Sequence, residues 1–286
     1  MSLKLMYITN DPDVAAIAET AGVDRIFVDM EYIGKAARQG GMDTVQSHHT
    51  VEDIRRVRPA VKKAQLMVRI NPMHRASAEY GSSQKEIDAA IEAGADILML
   101  PFFKTAEEVR RFVEMVAGRA KTYLLMETPE AAAAVDEILQ IPGIDEIHVG
   151  LNDLSLGLGR KFLFELLTDG TIEGLSRKFR AAGIPFGFGG IASLGKGMLP
   201  SEYVIREHYR LGSTATILSR SFCNVHLTRD LSLIHEIFCR GVAQIRELES
   251  ECREHPADSP YFTENYRIME QKVRDICECI PEGRHV

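Results

Sequence analysis

The chain has 286 residues, 45% of them hydrophobic and 26% charged, with a formal net charge of −7. These proportions belong to a globular domain with enough apolar matter for a large core, and they exclude a disordered or fibrous chain. The acidic balance, without a long Lys/Arg cluster, offers nucleic acid no surface, and no apolar run approaches the ~20 residues that cross a bilayer. The opening MSLKLMYITNDPD has neither the apolar region nor the cleavage site of a signal peptide, so the expectation is a cytoplasmic protein. The cysteines (Cys223, Cys239, Cys252, Cys277 and Cys279) fit no zinc spacing and read as reduced thiols in helices.

In chain order, short apolar runs alternate with amphipathic ones. LKLMYIT (3–9) reads as a strand and PDVAAIAETAG (12–22) as a helix; DRIFVDME (24–31) follows, then a long polar loop at 32–50 and the helix TVEDIRRVRPAV (50–61). The strand QLMVRIN (65–71) precedes the helix SQKEIDAAIEAG (83–94), and DILMLPF (96–102) precedes TAEEVRRFVEMVAG (105–118). TYLLMET (122–128) leads into PEAAAAVDEILQIPG (129–143), EIHVGLN (146–152) is the sixth strand, and the helix LSRKFRAAG (175–183) comes before PFGFGG (185–190) and TATILSR (214–220). Strands apolar on both faces are parallel strands covered on both sides. Gly22, Gly94, Gly118, Gly143 and Gly183 stand where a helix ends.

Eight such strands predict a (β/α)8 barrel over 1–230, with a helical tail at 231–286 that completes the barrel and packs on a partner subunit. A doubly wound open sheet is the alternative, but its Gly-rich phosphate turn would fall at TNDPDV (9–14).

Barrel enzymes work at the C-terminal ends of their strands. There this sequence places Asp29 and Glu31, Arg69 and Asn71, Glu127, Asn152 and Asp153, and Arg220. Clustered carboxylates raise one another's pKa unless a cation joins them, and carboxylates completed by water and substrate suit Mg²⁺ or Mn²⁺. Arg69 can hold a substrate carboxylate in a fork that Lys cannot copy, with Asn152 and Arg220 as further substrate contacts.

VRIN (68–71), AGADILMLPFF (93–103), METPEA (126–131) and GLNDLSLGLG (150–159), in that order, resemble the HpcH/HpaI aldolase and citrate lyase β-subunit family of phosphoenolpyruvate/pyruvate-binding barrels, from about Phe27 to Gly159 and more loosely to Phe222. The resemblance implies a divalent metal on Glu127 and Asp153; the donor chemistry puts Mg²⁺ first, with Mn²⁺ or Co²⁺ as alternatives, and four carboxylates at one mouth predict that Asp29 and Glu31 reach the ion through water. It also implies that Arg69 binds the carboxylate and enolate oxygen of a pyruvate-type 2-oxo acid, and that the last barrel helix is exchanged between subunits of a homo-oligomer.

The departures concern the proton. The family pattern D-x-E-H is here DMEY (29–32), with Tyr32 in the place of the His; Glu92 matches the carboxylate that partners that His, and Leu125 replaces a polar neighbour of the metal. A phenol is poorly matched to neutral pH, which leaves His48 or His49 of the long loop, or a water on the ion, as acid and base. Lys35, Arg38 and Gln39 of that loop are further candidate contacts, and GFGGIASLGKG (187–197), with Lys196 and Arg220, is a candidate cradle for an anionic tail. The reading is a metal-dependent carbon–carbon lyase, aldolase or citrate-lyase-like. The alternatives are phosphoenolpyruvate chemistry on the same barrel and a non-catalytic 2-oxo-acid-binding protein.

Overall fold

A computed structural model describes residues 2–34, 49–77, 80–225 and 227–286. Eight parallel strands, β1 (Lys4–Ile8), β2 (Arg25–Asp29), β3 (Gln65–Arg69), β4 (Ile97–Leu100), β5 (Lys121–Met126), β6 (Glu146–Val149), β7 (Phe186–Ile191) and β8 (Ala215–Leu218), close into a barrel in sequence order. All eight expected strands are present; most are shorter than their apolar runs, because the polar residues at the ends leave the ladder, while β7 keeps the expected length one residue further on.

The period of two along each strand sorts the side chains. Met6, Phe27, Met67, Met99, Tyr123, Leu125 and Ala215 point inward and fill the barrel. Their neighbours, such as Leu5, Ile26, Val28, Leu66 and Leu98, point outward under the helices. Following the inward rows upward brings Asp29, Arg69 and Glu127 to the rim of the C-terminal end. Following them downward brings the fully buried Arg25 to Glu146, which it grips with both terminal nitrogens, one at 3.1 Å, while Lys4 holds the same carboxylate at 3.0 Å. The barrel is thus plugged by an ion pair at one end and open at the other.

The surrounding helices are α1 (Pro12–Thr20), α2 (Val51–Val57), α3 (Ser83–Glu92), α4 (Ala106–Val116), α5 (Pro129–Ala133), α6 (Val135–Ile138), α7 (Leu151–Gly157), α8 (Glu165–Thr168), α9 (Thr171–Ala181) and α10 (Ser201–Leu211). The five expected terminal glycines all have positive φ, from 69° to 105°. The tail forms α11 (Leu231–Arg253) and α12 (Pro260–Cys279). Here they pack on their own chain: α11 between α1 and α10, α12 on α10 and α8. Arg246 on α11 bonds the Leu3 carbonyl at 2.8 Å and Asp24 at 2.9 Å, and Glu249 accepts from the Leu3 N–H, so the first helix of the tail closes the barrel in cis. Four of the cysteines are helical as expected, while Cys223 lies in the turn after β8; all are free thiols. No helix of the described residues is long and apolar enough to cross a membrane.

Candidate active site

The open end of the barrel holds two adjoining cavities. The first, about 440 Å³, is lined on one side by Arg69, Glu127, Asn152 and Asp153 and at its edge by Arg220. The second, about 600 Å³, takes its wall from β1, β2 and the segment after β8, including Asp29 and His49. Arg69, Ile217, Ser219 and Arg220 form the seam between them.

Arg69 is gripped before any ligand arrives. Its Nε and Nη2 donate to the two oxygens of Asp29, each at 2.7 Å, and Nε lies 3.4 Å from Glu31. Burial works against the charge, but Asp29 and Glu31 beside it, with Glu127 beyond, hold the guanidinium pKa above its ordinary value. Asp29 uses the side edge of the guanidinium, so the end-on Nη1/Nη2 pair is the edge that suits a second carboxylate. Asp29 lines the second cavity and not the one that Glu127 and Asp153 line. Expected as a water-mediated metal contact, it acts here as the clamp on Arg69, and Glu31, 2% exposed, reinforces it.

Glu127 follows β5 directly and is buried. Its Oε1 accepts the N–H of Phe102 at 3.1 Å, and Phe102 adopts a left-handed backbone (φ 49°) to present that N–H, a strain of about 1–3 kcal/mol. Gly150 lets the carboxylate sit where it does: a Cβ there would stand 2.8 Å from both Cβ and Oε2 of Glu127. Asn152 and Asp153 were expected at a strand end. Instead β6 stops at Val149, and both residues lie in the first turn of α7, where a carboxylate is favoured by the helix dipole.

The proton candidates separate. Tyr32 is 46% exposed and lines a different cleft, edge-on to Tyr80, so its phenol does not face the cavity of Glu127 and Asp153. His48, Lys35, Arg38 and Gln39 lie outside the described residues. His49 comes to the site: its Nδ1 accepts the backbone N–H of Asp29 at 3.0 Å. Nδ1 is thereby committed to holding the backbone at Asp29, the residue that clamps Arg69.

The carboxylate expected beside the family His position also moves. α3 runs back antiparallel to the strands, so Glu92 at its end is exposed at the far side, whereas Glu86 in its first turn is at the rim. Glu86 accepts from Asn71 N at 3.1 Å and Nδ2 at 2.7 Å, and Asn71 Oδ1 accepts the N–H groups of Tyr32 and Ile33, both at 2.9 Å. Burial raises the Glu86 pKa, opposed by the Asn71 bonds. The antiparallel return of the helix was the signal that could have found it.

A second residue that the strand-end reading passed over is His148. It lines the floor of the first cavity, with Nε2 2.9 Å from the Gly189 carbonyl and Nδ1 3.4 Å from the Tyr123 hydroxyl. Burial depresses its pKa to about 4, so it is neutral at pH 7. The Gly-rich loop also differs from expectation. Its N–H groups at Ala192, Gly195 and Lys196 donate to Ser201, Glu202 and Ser193, and Lys196 lines a separate cavity with Arg240. Those amides are unavailable to a phosphate, and Lys196 does not join Arg220.

Fold and site together define a (β/α)8 barrel whose C-terminal end gathers carboxylates around a clamped arginine. A family model described as HpcH/HpaI aldolase/citrate lyase matches residues 4–165, more than half of the chain, and the chain belongs to that family of carbon–carbon lyases. The 2-keto-3-deoxy-L-rhamnonate aldolase of Escherichia coli (strain K12) is 25% identical over 210 residues, 63% of this chain and 71% of the relative. The structure of an HpcH/HpaI aldolase from Desulfitobacterium hafniense DCB-2 superposes with a TM-score of 0.58 at 17% identity, covering 91% of this chain and 96% of that one. The citrate synthase SbnG gives 0.59 at 18% identity, covering 82% and 94%; both likenesses establish the fold alone.

Proposed function

We propose that the chain is a divalent-metal-dependent aldolase that makes or breaks the bond between a pyruvate-type enolate and an aldehyde or oxo compound. The observation that carries this reading is the convergence of Arg69, Glu127, Asn152 and Asp153 on one cavity at the strand ends. The donor set fits a hard cation: Glu127 and Asp153 offer carboxylate oxygens, and no cluster of three or more acidic, His or Cys ligands exists among the described residues. Two carboxylates leave the remaining positions to water and substrate, the habit of Mg²⁺ more than of a caged metal, with Mn²⁺ or Co²⁺ as alternatives. When bound, the ion supplies electrophilic stabilisation of the oxygen where negative charge develops.

The chain's own residues do the rest. The Nη edge of Arg69 binds the carboxylate and steadies the enolate oxygen, and Asp29 and Glu31 fix its plane so that no ordering is needed during reaction. Glu127, held by Phe102 N–H, keeps its orientation; Asn152 and Arg220 orient the remainder of the substrate. His49, accepting the Asp29 N–H, steadies the residue that clamps Arg69. In cleavage, a 4-hydroxy-2-oxo acid loses its hydroxyl proton, the C3–C4 bond breaks, C4 leaves as an aldehyde, and C3 takes up a proton to give pyruvate; no redox partner is required.

The test is a cleavage assay across a panel of 4-hydroxy-2-oxo acids. Chelation should abolish turnover, and Mg²⁺, Mn²⁺ or Co²⁺ should restore it. Full activity of Asp153→Ala in chelator would remove the metal from the account, and no cleavage of any panel member with metal present would favour a binding protein.

A further inference from the structure

Besides its charged residues, the first cavity is lined by apolar ones: Leu163 and Phe164 from the segment between α7 and α8, Leu199 from the loop after β7, and Leu125 from the barrel interior below Glu127. We infer that the second substrate, the carbonyl compound that meets the enolate, carries an aliphatic or aryl group, and that Leu163, Phe164 and Leu199 select for it. The inference rests on the aldolase reading above and names the substrate class of the same site.

The wall is built rather than incidental. Phe164 stacks edge-on against the buried Phe162 with ring centroids 5.4 Å apart. The segment is pinned from behind by residues 285–286: Leu163 N–H donates to the Val286 carbonyl at 3.0 Å, Val286 N–H to the Lys161 carbonyl at 2.9 Å, and His285 Nδ1 lies 3.0 Å from the Arg160 carbonyl. A fixed apolar wall gains from every methylene it covers and loses when it strips water from a hydroxyl it cannot bond. The acceptor must approach the enolate carbon, and this is the cavity that holds Arg69 with Glu127 and Asp153; the second cavity holds Arg69 without either carboxylate.

The experiment is condensation of pyruvate, with Mg²⁺, onto pentanal and onto glyceraldehyde, which have equal numbers of non-hydrogen atoms. The native protein should favour pentanal by at least ~10-fold in kcat/KM, the scale of discrimination in an apolar pocket. Leu163→Gln and Phe164→Ser should each reduce that ratio about tenfold; because both aldehydes are measured on one preparation, a partly folded variant does not distort it. Exchange of pyruvate C3 hydrogens in D₂O by the native protein separates the failures. Exchange with a pentanal preference absent or reversed overturns the apolar wall and leaves the enolate reading standing. Neither exchange nor condensation overturns both.

Discussion

His49 shows how one hydrogen bond narrows a role. A loop histidine near an active site suggests a titrating acid or base. Here its Nδ1 is occupied by the Asp29 N–H, and protonating that nitrogen would set two donors against each other. His49→Ala should therefore lower kcat roughly 10-fold by loosening the Asp29 clamp on Arg69, and this loss should be much smaller in a protein that already carries Asp29→Asn. Equal losses in both backgrounds would give His49 a role of its own. The same reasoning separates what was legible at this scale from what was not. Arg69, Glu127, Asn152 and Asp153 could be placed at one rim because strand ends converge in a barrel. The clamp of Asp29 on Arg69 could not, because side-chain pairing depends on the register between β2 and β3, which sets Asp29 opposite Arg69.

Among the elements, β6 and β7 carry the most consequence. His148 on β6 donates to the carbonyl of Gly189, whose φ is 55° within an irregular stretch of β7 where the register to β8 shifts between Gly187 and Gly190. The imidazole so used is buried, and its pKa of about 4 lies below that of an unfolded chain. As pH falls below about 6.5, the unfolded state takes up a proton that the native state refuses, so stability drops through this window and levels off below pH 4. At pH 5 the residue should account for ~2 kcal/mol of lost stability. Denaturant unfolding of His148→Gln should show an acid loss smaller than native by about that amount; parallel pH dependences would contradict the assignment. The sequence announced both strands by their apolar runs. It did not announce that GLNDLSLGLG turns helical at Leu151, because Gly150 and the Gly-Leu alternation obscure a period of 3.6 in so short a segment.

At the scale of the whole molecule, the chain is a barrel with an ionic plug at one end and a reaction chamber at the other, and its last two helices lie along the outside. The tail was legible as helical, and both of its helices form, with α11 packed between α1 and α10 of its own chain. Leu231 and Leu233 on α11 remain 42% and 43% exposed, and Met198 beside the chamber 57%. We propose that these residues are covered in a homo-oligomer, so the protein should sediment as a dimer or larger at micromolar concentration; a monomer there would refute it.

The proposed formation of an enolate at Arg69 can be tested without knowing the second substrate. Pyruvate incubated in D₂O with the protein and Mg²⁺ should exchange its C3 hydrogens, followed by loss of the methyl proton signal. Arg69→Lys keeps the charge but gives up both the fork and the Asp29 clamp, and should slow exchange by ~10²-fold or more. Exchange at the native rate in folded Arg69→Lys, or none in the native protein with metal present, would contradict the account.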